Sequence, residues 1–102
     1  MPNSHVLEVA IFTVKPGYQD AMPALRTGLR EALKGFPGLL EFYAYDPVDN
    51  QQTFADLAKW DSLASATAAA NAFAAGDPRF APYMQAIESL VFMGHFSPPA
   101  AI

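Results

Sequence analysis

Cysteine is absent from this chain, which removes disulfides, thiolate metal ligands and a cysteine nucleophile at once. Basic residues are scarce. Six Lys and Arg against ten Asp and Glu leave a formal net charge of −4, and the cations stand singly, so no basic stripe can neutralise a phosphate backbone. Nucleic acid is therefore not an expected partner. Histidine occurs only twice, and with no obvious third ligand nearby neither zinc nor iron is expected. Glycine-rich phosphate-binding loops are missing as well. No window approaches the roughly 18 apolar residues that a membrane-spanning helix needs, and MPNSHVLEVA has no basic segment leading into an uninterrupted apolar run. The expectation is a cytoplasmic protein with no membrane partner.

Apolar residues are plentiful, at 52% of 102. A domain of this size buries only about 60 to 65% of its unfolded surface, so a surplus is expected to lie in a subunit interface. One domain over residues 1–102 is expected. The segment from His5 to Val14 organises the rest. Alternation places Val6, Ala10, Phe12 and Val14 on one face of a strand and Leu7, Val9 and Ile11 on the other. With both faces apolar the strand has to be covered twice, by helices on one side and by a second copy of the protein on the other.

Lys15-Pro16-Gly17 breaks that strand. Tyr18, Met22, Leu25, Leu29, Leu33 and Phe36 then recur along one helical stripe, with Arg26, Arg30, Glu31 and Lys34 mostly opposite. Asp20 is the expected N-cap, which leaves Pro23 in the first turn, and Gly35 ends the helix. Leu39 to Tyr45 reads as the second strand and Thr53 to Trp60 as an antiparallel third, with Phe54, Asp56, Ala58 and Trp60 on one face. Asp61 or Ser62 caps a second helix to about Ala75, whose eight alanines give it a thin profile. Leu63, Ala66, Ala70, Phe73 and Ala74 are its expected inward residues. A short turn at Pro78 to Phe80 and a helix from Pro82 to about Glu88 precede a last strand, Leu90 to Phe96, with Tyr83, Met84 and Ile87 inward. Pro98-Pro99 ends the domain, and residues 100–102 are expected to form a loose tail or a short arm over a partner. The order is β-α-β-β-α-β, a ferredoxin-like α+β fold with a four-stranded antiparallel sheet and the first strand between the third and fourth.

Read together, H-V-L-E-V-A-I-F-T-V-K-P-G, F-P-G-L-L-E-F-Y, K-W-D-S, D-P-R-F-A-P-Y-M and V-F-M-G-H-F resemble the dimeric α+β barrel superfamily, and within it the antibiotic-biosynthesis-monooxygenase-like group. The resemblance spans nearly the whole chain and rests on the order and spacing of the motifs. It implies a homodimer whose two sheets form a shared barrel. Members of the superfamily include cofactor-free oxygenases of aromatic polyketides and quinols, haem-degrading oxygenases, and proteins with no established activity. Trp60 matches the tryptophan that ends the third strand and lines the pocket in catalytic members. The haem-degrading pattern is not matched: its first-strand asparagine falls near Ala10 and its axial histidine near Tyr83 or Met84.

The residues that can carry chemistry are few. If the first and last strands pair antiparallel so that residue numbers sum to about one hundred, His5 faces His95. The two are then an acid/base pair or metal ligands, or else two histidines at a sheet margin. Glu8 is anomalous in an apolar strand. It is either a buried base with a raised pKa or one half of an ion pair at a dimer rim. Asp56, also mid-strand, invites the same two readings. Trp60, Tyr43, Tyr45, Phe80 and Tyr83 are either aromatic walls of a pocket for a flat ligand or ordinary core. Arg79 either binds an anion or caps the short turn.

The reading that joins these is a homodimeric, cofactor-independent monooxygenase-like enzyme acting on a small aromatic or quinol-type substrate. Trp60, Tyr43, Asp56, Phe80 and Tyr83 bind the substrate, and His5, Glu8 or His95 takes its proton. The alternatives are a non-catalytic dimeric module that binds a small apolar ligand or accompanies an enzyme, or an isomerase or lyase on the same scaffold.

Overall fold

The computed structural model describes residues 5–49 and 52–98; the expected tail at 100–102 and Asn50, in the connection between the second and third strands, lie outside the described residues. The elements are β1 (Val6–Val14), α1 (Met22–Leu33), β2 (Leu39–Tyr45), β3 (Thr53–Trp60), α2 (Leu63–Ala74), α3 (Ala81–Ala86) and β4 (Ile87–Phe96), with 3-10 turns at Gln19–Ala21 and Pro78–Phe80. The four strands form one antiparallel sheet in the order β2-β3-β1-β4. This is the split βαβ arrangement, and β1 is central as its apolar character requires.

Helices cover one sheet face. Phe12 and Val14 of β1 and Phe54, Ala58 and Trp60 of β3 pack there against Met22, Leu29 and Leu33 of α1 and Ala66 and Ala69 of α2, with Phe80, Tyr83 and Ala86 closing the end. The opposite face is not covered by any helix among the described residues. By register it carries Leu7, Val9 and Ile11, Leu57, Tyr43 and Tyr45, and Phe92 and Phe96, of which both tyrosines and both phenylalanines are exposed. Phe92 and Phe96 stack with centroids 6.1 Å apart. They stack across Gly94, where a Cβ would come within 2.8 Å of the Phe92 ring.

Several local expectations are corrected. Asp20 does not cap α1: the 3-10 turn absorbs it, and turn carbonyls accept the Ala21 and Met22 amides, so no capping side chain is required. Ala21 occupies the N-cap position. Leu63 and Ala74 are exposed, and the buried alanines of α2 are Ala66 and Ala69. Ser62 caps α2 by accepting the Ser65 amide at 3.1 Å. Met84 is exposed rather than inward. The last helix stops at Ala86, because Ile87 is already extended and pairs with Val14 while the Lys15 amide donates to the Ala86 carbonyl at 2.8 Å. Ladder hydrogen bonds to β1 have outweighed helical continuation.

Two register shifts in the β1–β4 pairing, between Ile11 and Phe12 and between Thr13 and Val14, determine what β4 presents. Simple alternation would separate Leu90 from Met93. The bulges instead bring Ile87, Leu90 and Met93 opposite Val14, Phe12 and Ala10, on the helix side.

Candidate functional site

Between the covered sheet face and the helices lies a cavity of about 380 Å³, within the usual range for small-molecule sites. Phe12 and Phe42 of the sheet form its floor; Leu29 and Leu33 of α1, Ala69, Ala70 and Phe73 of α2, and Phe80 enclose it. The thin alanine profile of α2 is what leaves the space. Leu90, Met93 and Ala74 line it and are exposed, which puts the mouth along β4 and the end of α2.

Polar groups in this wall are few and anionic: Glu8 and Asp56, with Tyr83 beside Asp56 and Asn71 at an exposed position of α2. Strand alternation brings Glu8 to the covered face, opposite Ala58 on one side and His95 on the other. Both its oxygens are engaged. The Trp60 indole Nε1 donates to Oε1 at 3.3 Å, and His95 Nε2 lies 3.1 Å from Oε2. Burial raises the Glu8 pKa above 4.5, and the Asp56 charge adds to this; the Trp60 hydrogen bond and His95 act in the opposite direction.

Asp56, opposite Ala10 on β3, accepts Arg26 Nη2 at 2.9 Å and the Tyr83 hydroxyl. Arg26 continues to the Asp46 carboxylate at 2.6 Å and the Tyr45 carbonyl at 2.8 Å, and its guanidinium lies 4.9 Å from the Phe54 ring centroid. Its Nε is buried without a hydrogen-bond partner among the described residues. Burial raises the Asp56 pKa above 3.8 against the opposing Tyr83 hydrogen bond and Arg26 charge. Burial and the Asp56 carboxylate together push the Tyr83 hydroxyl up, so it remains a hydroxyl.

The structure thus brings together Glu8, His95, Asp56, Phe80 and Tyr83, and separates the other site candidates. His5 does not face His95: in the observed register His95 is opposite Glu8, whereas His5 precedes β1 and acts electrostatically on Glu41. Tyr43 is on the open sheet face, its hydroxyl donating to Glu41. Trp60 is wholly buried and does not line the cavity. It reaches the site only through Glu8. Arg79 clasps Asp77, holding that carboxyl down to about 2, and stacks 4.3 Å from the Phe36 centroid.

Arg26, expected on the outer side of α1, is instead 6% exposed. Its position was readable: Met22, Arg26, Leu29 and Leu33 share the four-three-four spacing of the buried stripe, and a mid-strand Asp56 needs a cation. The lining by Phe42, Leu90 and Met93 was not foreseen; Ile87, expected inward from the last helix, is inward from β4 instead, and the bulges explain the β4 positions. Among the described residues no cluster of three or more His, Asp or Glu can hold a metal ion, and no helix is long and apolar enough to cross a membrane.

The sequence model described as antibiotic biosynthesis monooxygenase matches residues 6–86. Among solved structures, a protein from Bordetella bronchiseptica named for antibiotic biosynthesis monooxygenases superposes with a TM-score of 0.81 at 12% identity, over 95% of this chain and 99% of that one. One from Chloroflexus aurantiacus J-10-fl, named likewise, gives 0.70 at 20% identity over 97% of both chains. SnoaB, a cofactor-independent oxygenase from Streptomyces nogalater, gives 0.65 at 19% identity, covering 97% of this chain and 95% of its own. These likenesses establish the fold. No curated protein matches the sequence.

Proposed function

Because this chain belongs to the antibiotic biosynthesis monooxygenase family, we propose that it is a cofactor-independent oxygenase of a small aromatic or quinol-type hydroxy compound. The observation that carries the reading is Glu8: a carboxylate in the wall of an apolar cavity, its proton affinity raised by burial. A base of raised pKa is suited to removing a phenolic proton near neutral pH. The resulting phenolate is electron-rich enough to pass an electron to dioxygen itself, so the protein supplies a dry pocket, orientation and proton removal. SnoaB, similar in fold, is a cofactor-independent oxygenase, which agrees with this chemistry.

In this scheme Glu8 takes the proton, His95 and Trp60 hold Glu8 in place, Tyr83 and Phe80 bound the ring, and Asp56 with Arg26 fixes Tyr83. The active form is a homodimer joined through the open face of the sheet, in the cytoplasm. Oxygen uptake with a panel of hydroquinones and anthrones tests the activity. Glu8→Gln is expected to lower kcat by roughly 100-fold or more while the fold is retained. Absence of uptake across the panel, or full activity in Glu8→Gln, overturns the reading.

A second reading has its own observation. The wall built by Ala69, Ala70 and Ala74 makes a cavity whether or not chemistry follows, so a dimeric ligand-binding module would look the same there. Ligand binding without oxygen uptake distinguishes the two.

A further inference from the structure

The donors and acceptors around the cavity are unevenly distributed. Glu8 and Asp56 are diagonal neighbours on adjacent strands, since Ala10, two residues beyond Glu8, pairs with Asp56, a separation of about 7 to 8 Å between backbone positions. The Asp56 charge acts on Glu8 and helps to raise its pKa. The donors beside them already point at carboxylates: Trp60 Nε1 at Glu8, Arg26 Nη2 and the Tyr83 hydroxyl at Asp56. His95 Nε2 is engaged with Glu8. Arg26, the one Lys or Arg that reaches these two carboxylates by an ion pair among the described residues, is further neutralised by Asp46. The inner wall therefore offers a ligand lone pairs on Glu8, Asp56 and the Tyr83 oxygen.

We propose that the cavity selects uncharged hydroxyarenes that donate hydrogen bonds and rejects arenes bearing a carboxylate, with Glu8 and the Asp56–Tyr83 pair as the discriminating groups. The physical basis is a difference of two desolvation costs. A hydroxyl entering beside Glu8 exchanges its water for a charge-assisted hydrogen bond. A carboxylate entering the same place loses its hydration, finds no free donor on Glu8, Asp56 or Tyr83, with the Asn71 amide away at an exposed position of α2, and faces two like charges in an apolar enclosure. A site whose buried polar groups are all acceptors discriminates against a ligand that brings only acceptors. This inference rests on the proposed function for its substrate class, and sharpens it to a charge state and a donor pattern.

Two ligands of matched ring and size test it: 2-naphthol and 2-naphthoate, titrated at neutral pH against the full-length protein by isothermal calorimetry. The expected result is that 2-naphthol binds and 2-naphthoate binds at least roughly tenfold more weakly. Glu8→Gln places an amide donor where the carboxylate stood, and is expected to narrow that ratio by raising affinity for 2-naphthoate. Asp56→Asn is expected to act in the same direction, and circular dichroism on both variants separates a binding effect from loss of fold. Binding of 2-naphthoate as tight as that of 2-naphthol, a ratio unchanged in folded Glu8→Gln, or no binding of either compound overturns the inference. Failure of the oxygenase reading looks different: 2-naphthol binds with the expected preference, and the hydroquinone and anthrone panel takes up no oxygen.

Discussion

Glu8 is the residue at which stability and the proposed chemistry oppose each other. Burial raises its pKa above 4.5, so the folded state binds this proton more tightly than the unfolded chain does. Its stabilising contribution is therefore fully present below about pH 4.5 and is lost as pH rises through the raised value. Glu8→Gln is expected to flatten that decline in urea unfolding measured from acid to neutral pH. A base works deprotonated, so kcat/KM is expected to rise with pH through the same raised value. Trp60→Phe removes the hydrogen bond that holds the Glu8 pKa down, and should move that limb of the profile to higher pH. A limb that stays in place would show that the indole does not act through Glu8. Arg26 and Asp56 are a second case, with side chains only 7% and 9% exposed. Arg26→Met leaves a buried carboxylate without its cation and should cost about 3 to 5 kcal/mol. Adding Asp56→Asn should restore part of that, because a neutral amide still accepts the Tyr83 hydroxyl; urea denaturation of the three proteins checks both statements.

Among the elements, α2 and β4 shape the cavity from opposite sides. Small residues of α2 leave the volume, and the bulges of β4 turn Ile87, Leu90 and Met93 into it. Ala70→Leu is expected to fill the space and abolish 2-naphthol binding in calorimetry, with thermal stability kept or raised, because added apolar volume enters a void rather than a packed wall. The first side was legible in the sequence, since an alanine run implies a thin helix. The second was not. An inserted ladder residue leaves no mark in an apolar run such as LVFMGHF, so alternation carried through it points the side chains on one side of the insertion to the wrong face. The boundary at Ile87 was hidden for a related reason: pairing with Val14, far away in sequence, ends a helix that local propensity would have continued.

For the whole molecule, the open sheet face is the large feature that one protomer leaves unexplained. Phe92, Phe96, Tyr43 and Tyr45 are exposed on it beside the partly buried Leu7, Val9 and Ile11, and an exposed apolar patch of this kind marks an interaction surface when it is large. The homodimer we propose covers this face. Phe92→Glu is expected to convert the dimer to monomer at micromolar concentration in sedimentation velocity while leaving the cavity, on the other side of the sheet, able to bind 2-naphthol. A wild-type protein that sediments as a monomer would remove the dimer. By itself the sequence determined the order of elements and the central place of β1, because period-two alternation, turn residues and caps act over a few residues and are written locally. Only the tertiary structure decided that His95 meets Glu8 rather than His5, that Arg26 turns inward to Asp56, and that Trp60 stands behind the site instead of lining it. Each of those outcomes depends on strand register and on charges brought together from distant parts of the chain, where a shift of one residue changes every partner.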